Sequence, residues 1–337
     1  MSALLGMPVT KPWMSTMNEL RVGVLGVGHL GYHHARIYSA MEDIKLVGVA
    51  DPSPERRAVA AADFEVPVFE DAGALLAEGI DALSVVTPTI THEVMVLQAL
   101  QAGAHVLVEK PIAATVESAE RMVAAALAQN RILQVGHIER FNGAVMALEH
   151  ALEHPRFIEC HRLSPFPGRG VDVSVVLDLM IHDLDIVLAL TRSEVTSIDA
   201  VGVPVFSPSE DIANVRLRFA SGCVANLTSS RVSLEKLRKI RIFEDNAYVS
   251  TDYSAQEVLV YRKKPGPMPD GANPMEHISI EPLHVEKDEP LKLELEAFVA
   301  CARSGARPLV SGEEGLRALR LASQIEAAMH AHAANHA

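Results

Sequence analysis

The stretch Arg21-Val-Gly-Val-Leu-Gly-Val-Gly-His-Leu-Gly31 joins a short apolar run to a glycine-spaced turn and the start of a helical pattern. It contains Gly-x-Gly-x-x-Gly at Gly26, Gly28 and Gly31, with His29 and Leu30 before the last glycine. The first glycine permits a tight turn, the second lets the backbone approach a pyrophosphate, and the third lets the helix pack close to the strand. Free N–H groups at the helix N-terminus then face the phosphates. The stretch therefore predicts a dinucleotide site, although a glycine turn that binds nothing has the same spacing.

A carboxylate at the expected distance favours the dinucleotide interpretation. The apolar run at residues 45–50 predicts a buried strand, and it ends in Asp51, about 20 residues after Gly31. A carboxylate there accepts hydrogen bonds from the ribose hydroxyls of NAD and repels the 2′-phosphate of NADP. We therefore expect NAD as the cofactor, while the nearby Arg56 and Arg57 leave some use of NADP open.

Length and composition are those of an ordinary globular protein with about two domains: 337 residues, 49% hydrophobic and 22% charged. The net charge of −13 argues against nucleic acid or an anionic membrane as the partner, so we expect a small molecule. No apolar run in the sequence approaches the roughly 18 residues of a membrane span. We interpret residues 1–19 as a loose leader without a signal peptide, and the three cysteines as reduced thiols of a cytoplasmic protein.

The order of the predicted elements divides the chain in two. From residue 20 to about residue 136, short β-rich runs alternate with helical patterns, which is typical of α/β proteins with a doubly wound parallel sheet. After residue 142, long β-rich runs follow one another, which predicts an α+β domain with a large, mostly antiparallel sheet and helices on one face. A partner subunit is the simplest cover for the other face. The two C-terminal helices can pack back on the first domain.

Polar residues follow three predicted strands of the first domain. These segments are Thr87-Pro88-Thr89 with His92, then Glu109-Lys110-Pro111, and then His137. Ligands of open α/β sheets bind at the carboxyl ends of strands, so we expect all three to face the cofactor. The proline after Lys110 favours an extended backbone and a rigid turn. We interpret Lys110 as a catalytic donor; the alternative is a solvated lysine.

Asp178 and His182 lie four residues apart in an apolar helical pattern. On one helix face they would be neighbours, and a carboxylate beside a histidine fixes its tautomer and raises its basicity. A general base for an alcohol proton is the interpretation we favour, because polar residues in an apolar helix carry a cost. An ordinary helix pair or a core histidine is the alternative.

Basic residues cluster in an otherwise acidic protein. Residues 231–241 contain Arg231 and Lys236 among five cations and one acid. This run predicts either a solvated strand or a clamp for the diphosphate of a nucleotide-linked substrate, with Arg140 and Arg169 as further candidates. We expect no metal site, because His150 and His154 lack the zinc-protease spacing and a third ligand.

Over residues 20–328 the sequence resembles the Gfo/Idh/MocA family of nicotinamide-dependent oxidoreductases. The resemblance rests on the ordered motifs Gly26-Val-Gly-His-Leu-Gly31, Thr87-Pro-Thr89, Glu109-Lys-Pro111 and Asp178-x-x-x-His182. It implies an NAD-binding Rossmann domain at residues 20–140 and a substrate-binding and oligomerisation domain at residues 141–337, often in a tetramer. It also implies oxidation of a sugar or polyol hydroxyl, with Lys110 and His182 acting on the substrate and Asp178 supporting His182.

Within the family, three segments look most like the UDP-N-acetylglucosamine 3-dehydrogenases. They are Val135-Gly-His-Ile-Glu-Arg-Phe-Asn142, Leu163-Ser-Pro-Phe-Pro-Gly-Arg169 and Asn226-Leu-Thr-Ser-Ser-Arg-Val232. The first adds Phe141 and Asn142 to His137 and Arg140 as expected substrate-binding residues. Such enzymes make a 3-keto sugar that an aminotransferase can use on the way to lipid A. The alternatives are dehydrogenases for a UDP-sugar acid or an inositol, and a sensor that binds NAD without turnover.

Overall fold

The computed structural model of the chain describes residues 19–166, 173–264, 266, 271 and 273–334. Its first sheet consists of β1 (Leu20–Leu25), β2 (Ile44–Ala50), β3 (Val68–Phe69), β4 (Ala82–Val85), β5 (His105–Glu109) and β6 (Leu133–Gly136). All neighbours are parallel, in the order β3-β2-β1-β4-β5-β6. The strand order reverses between β1 and β4, so the predicted doubly wound sheet is confirmed, and its ligand crevice is expected at that reversal.

Five helices connect these strands: α1 (His29–Ala40), α2 (Pro54–Phe64), α3 (Ala72–Leu76), α4 (His92–Gln101) and α5 (Val116–Ala128). Local sequence explains where they begin. The Ser53 side chain accepts a hydrogen bond from the Arg56 N–H at 3.3 Å, and Pro54 occupies the first helical position. Thr115 caps α5 in the same way.

The second sheet has eight strands: β7 (Phe157–Leu163), β8 (Val195–Val203), β9 (Ile212–Phe219), β10 (Val224–Ser230), β11 (Leu237–Phe243), β12 (Ala247–Asp252), β13 (Glu257–Lys263) and β14 (Ile278–Pro282). Their order is β14-β13-β12-β11-β7-β10-β9-β8. Only β7 and β10 run parallel to each other, so the sheet is mostly antiparallel, as predicted. A Ser221-Gly222 hairpin turn joins β9 to β10, with Gly222 at φ 86°.

Helices cover one face of this second sheet. Helix α6 (Gly143–Ala151), helix α7 (Ile181–Thr191) and most of α9 (Gly312–Ala334) pack on the buried alternate residues of the strands. The opposite face carries a row of aromatic rings, one from each of four adjacent strands. Successive ring centroids are 5.7, 4.8 and 5.0 Å apart along Phe157, Phe243, Tyr248 and Tyr261. None of the described helices is long and apolar enough to cross a membrane.

The last two helices also contact the first sheet. Helix α8 (Pro290–Ser304) places Leu295 and Phe298, both fully buried, in one apolar cluster with residues of β1 and α1. The Val135 N–H donates to the Val310 carbonyl at 2.9 Å, just before α9 begins. A capping-box contact is present at that point, where the Ser311 N–H donates to Glu314 Oε2 at 3.0 Å. The core of the first sheet therefore includes residues from the end of the chain.

Replacing Phe298 with alanine should lower the free energy of unfolding by about 3–5 kcal/mol, because it leaves a cavity in the core under β1. Denaturant titration of the full chain measures this change. The matched control is Leu127→Ala on α5, whose side chain is 68% exposed and should matter little. Equal stability of the two variants would contradict a core role for α8.

Candidate active site

The glycine turn after β1 has the geometry that its spacing predicts. Gly26 adopts φ 87°, and a Cβ there would lie 2.4 Å from the Val86 carbonyl oxygen. At Gly31 a Cβ would lie 1.8 Å from the Gly26 oxygen, so both positions exclude larger residues. At Gly28 a Cβ would contact only the Arg56 guanidinium, at 3.6 Å. The middle glycine therefore leaves the backbone open to a ligand, and it is the N-cap of α1.

A cavity of about 470 Å³ extends from this turn along the strand ends. Most of the expected cofactor-binding residues line it: Gly26, Gly28, Leu30, Asp51, Thr87, Pro88, Glu109 and Lys110. His29 is exposed as the first residue of α1, and Thr89 begins a short 3-10 turn after Pro88. The cavity thus joins the phosphate-binding turn to the carboxyl ends of β2, β4 and β5, which fits an extended dinucleotide.

Asp51 is held rigidly at the wall of the cavity. Its side chain is 2% exposed, and its two oxygens accept hydrogen bonds from the Val27 and Ser53 N–H groups, both at 2.9 Å. Arg56 Nη1 lies 3.6 Å from Asp51 Oδ2. Each carboxylate oxygen can accept a second hydrogen bond, so the residue suits a ribose diol as expected. The sequence pattern did not predict Arg56 as a partner of this carboxylate.

His92 connects two of the strand ends. Its Nε2 lies 2.9 Å from the Thr87 carbonyl oxygen, and its Nδ1 lies 3.1 Å from that of Pro111. Burial lowers the pKa of this imidazole. Its ring nitrogens are engaged by the protein backbone, so His92 positions the Thr87 and Lys110 segments, whereas direct cofactor contact stays a prediction.

Lys110 reaches from the first sheet to the segment before α7. Its Nζ donates to the Asp178 carbonyl oxygen at 2.8 Å and lies 3.6 Å from Asp178 Oδ1. Burial lowers the pKa of Lys110, while the charges of Asp178 and Glu109 act in the opposite direction. The ammonium is therefore fixed at the cavity wall, where the sequence places a catalytic donor.

Asp178 contacts Lys110. A π-helical turn, Val176–Met180, precedes α7 within the apolar pattern that predicts a regular helix. The wider turn alters which side chains share a face, and Asp178 is directed to Lys110 rather than to His182. His182 Nδ1 is buried and has no hydrogen-bond partner among the described residues. Asp178 therefore contacts the lysine, and its support of His182 stays a prediction.

Two imidazoles lie side by side next to the lysine. The rings of His137 and His182 are 6.2 Å apart and perpendicular. Burial lowers the pKa of His137 to about 3, with a further contribution from the Lys110 charge. Burial also lowers the pKa of His182 well below its usual value, again with Lys110 as the next cause. Both rings are therefore neutral at pH 7, and a neutral imidazole can accept a proton.

A buried charge network supports this group, and our sequence interpretation missed it. Arg162 on β7 donates to both Asp183 oxygens at 2.9 Å and to Glu139 Oε1 at 2.9 Å. Arg238 Nη1 lies 3.4 Å from the same Glu139 oxygen. The available signal was the strand alternation, since Arg162 continues the buried positions 158 and 160. An arginine on a core face requires carboxylate partners nearby.

Two of the expected substrate-binding arginines have other roles. Arg231 is completely buried, donates to Asp211 Oδ1 at 2.7 Å and to the Val173 carbonyl at 2.8 Å. Arg140 is 5% exposed and pairs with Glu149 at 2.8 Å and with Asp185 at 3.7 Å. Their guanidinium groups are satisfied by protein oxygens, so the prediction that they clamp a diphosphate is wrong in this structure.

The other expected substrate-binding residues separate into three groups. Phe141 is a core residue, and Asn142 caps α6 by accepting from the Ala144 N–H at 3.0 Å, so both are structural. Lys236 is exposed in the loop before β11, where diphosphate binding stays a prediction. Three parts of the sequence that were discussed above lie outside the described residues: Arg169, the leader up to residue 18 and the side chain of His150.

Comparison with known proteins agrees with this geometry. Residues 20–137 match the GFO/IDH/MocA oxidoreductase family with an NAD-binding Rossmann fold, and residues 143–250 match a GFO/IDH/MocA C-terminal domain. The UDP-N-acetylglucosamine 3-dehydrogenase of Acidithiobacillus ferrooxidans is 38% identical, over 94% of this chain and 99% of that protein. Its solved structure superimposes with a TM-score of 0.87 over the same shares. The scyllo-inositol 2-dehydrogenase (NAD(+)) of Bacillus subtilis is 27% identical over 87% of this chain and 89% of that protein.

Proposed function

Since the chain belongs to the Gfo/Idh/MocA family of NAD-dependent oxidoreductases, we propose that it oxidises the 3-hydroxyl of UDP-N-acetylglucosamine to a ketone. The observation that carries the proposal is the convergence of Lys110, which lines the cofactor cavity, with the neutral His137 and His182. The similarity to the Acidithiobacillus enzyme supports the choice of sugar.

The residues of the site divide the reaction between them. NAD, when bound, accepts the hydride from the carbon that carries the reacting hydroxyl. His182 takes the hydroxyl proton, because burial keeps its ring neutral. Lys110 donates a hydrogen bond to the same oxygen and stabilises the negative charge that develops on it. Asp178 holds the lysine in place until the substrate arrives.

The sugar nucleotide requires cations for its diphosphate. With Arg140 and Arg231 engaged elsewhere, Lys236 and Arg169 are the remaining candidates from the sequence. Oxidation of an inositol is the second candidate function, and the similarity to the Bacillus subtilis enzyme favours it. Because an inositol has no diphosphate, the two functions differ in their need for these cations.

The assay is NAD reduction by the purified protein with UDP-N-acetylglucosamine, its uronic acid, UDP-glucose or an inositol. We expect turnover with UDP-N-acetylglucosamine. Lys110→Ala and His182→Ala should each lower turnover by about 10²-fold or more, with NAD affinity nearly unchanged. The controls are Lys45→Ala and His154→Ala, which remove exposed residues of the same types. Activity on inositol alone would overturn the choice of substrate, and loss of NAD binding in both site variants would contradict the assigned roles.

The pH dependence tests the contact of Asp178 with Lys110. Its charge opposes the lowering of the Lys110 pKa by burial, so Asp178→Asn should lower that pKa further. The ammonium form donates the hydrogen bond, and the alkaline limb of kcat/KM should therefore move to lower pH. Asp245→Asn, at an exposed surface pair, is the control and should leave the limb in place. An unchanged limb in Asp178→Asn would contradict the pairing.

We further propose that a second copy of the chain covers the aromatic row on the second sheet, in a dimer or tetramer. The row presents partly exposed rings from β7, β11, β12 and β13, which suits a self-complementary interface. Tyr248→Arg should shift the protein to smaller species in light scattering. Val59→Arg, at a 52% exposed site on α2, should not. A wild-type monomer would contradict the proposal.

The remaining proposals concern the cellular role. We propose that the enzyme works in the cytoplasm, where it would meet both NAD and a UDP-sugar. Its 3-keto product would be the substrate of an aminotransferase on the way to a 3-amino sugar of lipid A. The similarity to the Acidithiobacillus enzyme supports this role.

A further inference from the structure

Two exposed phenylalanine side chains, which we call the phenylalanine pair, contact each other at one end of the second sheet. Phe166 lies just after β7, and Phe206 lies in the loop between β8 and β9. These strand ends lie together, since Leu163 and Ile212 both pair with Ser230. Phe166 is 39% exposed and Phe206 is 72% exposed, and their ring centroids are 5.6 Å apart with the rings nearly perpendicular. Such a contact uses one face of one ring only, so aromatic surface remains open to a planar ligand.

The loop that carries Phe206 is held by buried polar groups. Asp211 is fully buried, and its Oδ2 accepts hydrogen bonds from three successive backbone N–H groups, those of residues 205–207, at 2.8, 2.6 and 2.9 Å. Arg231, also fully buried, donates to Asp211 Oδ1 at 2.7 Å and to Ser207 Oγ at 2.9 Å. The exposed ring of Phe206 therefore projects from a fixed backbone, and a ligand that stacks on it does not have to order the loop.

The same loop contacts the segment that holds the reacting lysine. The Glu210 carbonyl, in the loop after Phe206, accepts from the Val175 N–H at 2.9 Å. Val175 opens the helical stretch that contains Asp178, three residues further on. The Asp178 carbonyl in turn accepts from Lys110 Nζ at 2.8 Å. The phenylalanine pair therefore borders the end of the second sheet that meets the lysine.

Arg238, near the start of β11, supplies a cation at this end of the sheet. It pairs with Arg162 of β7, and Phe166 lies four residues beyond Arg162, at most about 14 Å along an extended chain. Opposite residues of antiparallel strands share a face, so Arg238 lies on the helix-covered face together with Arg162. This is the face on which α7 packs with His182.

The guanidinium of Arg238 is only partly paired. Its side chain is 43% exposed, and its Nη1 lies 3.4 Å from Glu139 Oε1, an oxygen that already accepts from Arg162 at 2.9 Å. Within the described part of the chain, the other guanidinium N–H groups of Arg238 have no hydrogen-bond partner. Burial lowers the pKa of His182, and Arg238 is one of the nearby positive charges that lower it further. Arg238 therefore offers donors for an anionic ligand beside the reacting groups.

We propose that the phenylalanine pair and Arg238 form the subsite for the nucleoside diphosphate part of the substrate, with the uracil ring stacked on Phe206 and the diphosphate bound by Arg238. The proposal rests on the proposed function and extends it. Nucleobases stack on aromatic side chains, and a guanidinium forms paired hydrogen bonds with phosphate oxygens. A UDP-sugar bound in this way directs its sugar from the pair, across Arg238, to Lys110 and His182. An inositol has neither a base nor a phosphate and would make neither contact.

The test is a calorimetric titration of the full chain with UDP in the presence of saturating NADH, which keeps UDP out of the cofactor cavity. Phe206→Ala should raise the Kd for UDP about tenfold, because it removes the stacking surface, and Phe206→Trp should restore binding. Arg238→Gln should weaken UDP binding by a similar factor, because it removes a charged donor to the diphosphate. In turnover assays, the KM for UDP-N-acetylglucosamine should rise by more than kcat falls in both site variants.

The matched controls should bind UDP as the wild type does. Arg241→Gln changes an arginine of the same strand that is also 43% exposed but lies on the opposite face, and Leu127→Ala removes a 68% exposed apolar side chain on α5. A thermal melt checks that each variant is folded. Unchanged UDP affinity in folded Phe206→Ala and Arg238→Gln, in a protein that oxidises UDP-N-acetylglucosamine, would overturn the subsite alone. A wild type that neither binds UDP nor oxidises UDP-N-acetylglucosamine would instead refute the choice of substrate, and the subsite with it.

Discussion

The contact between Lys110 Nζ and the Asp178 carbonyl is the interaction on which the site depends, because it joins the two sheets at the cavity. Lys110 leaves the end of β5, and Asp178 lies in the π-helical turn before α7. A buried ammonium requires oxygen partners, and the first sheet alone offers it only Glu109 nearby. The second sheet must therefore pack where Asp178 can reach the lysine. This requirement ties the geometry of the reacting groups to the packing of the whole chain.

The first sheet could be predicted closely because its signals are local. Its strands are apolar runs bounded by turn residues, and the strand predicted at residues 45–50 is observed as Ile44–Ala50. β3 is short, since it pairs in the sheet only over Val68–Phe69. Pro67 has no N–H to donate, and its carbonyl accepts from the Val49 N–H instead. The strand order of the second sheet could not be predicted from local signals, because β7 pairs with β10 and β11, which lie far along the chain.

The errors in the site have two physical causes. The expected pairing of Asp178 with His182 assumed regular α-helical geometry, and a π-turn is not visible in residue spacing. The net charge of the basic run does not show which face of a strand each of its residues occupies. Arg231 continues the buried positions 225, 227 and 229 of β10, so the alternation already placed it inside the protein. Its partner Asp211 lies on another strand connection, and only the fold brings the two together.

Burial has opposite chemical consequences for the groups around Lys110. It removes the charge from His182 and His137, and thereby makes a proton acceptor available at neutral pH. It raises the pKa of the Glu294 carboxyl well above its usual range. Burial lowers the pKa of Lys110, and the charges of Asp178 and Glu109 offset part of that lowering. A hydroxyl oxygen placed beside Lys110 would therefore face a base and a hydrogen-bond donor at once. That combination depends on the exclusion of water, and so on the packing of α7 and α8 against the ends of the first sheet.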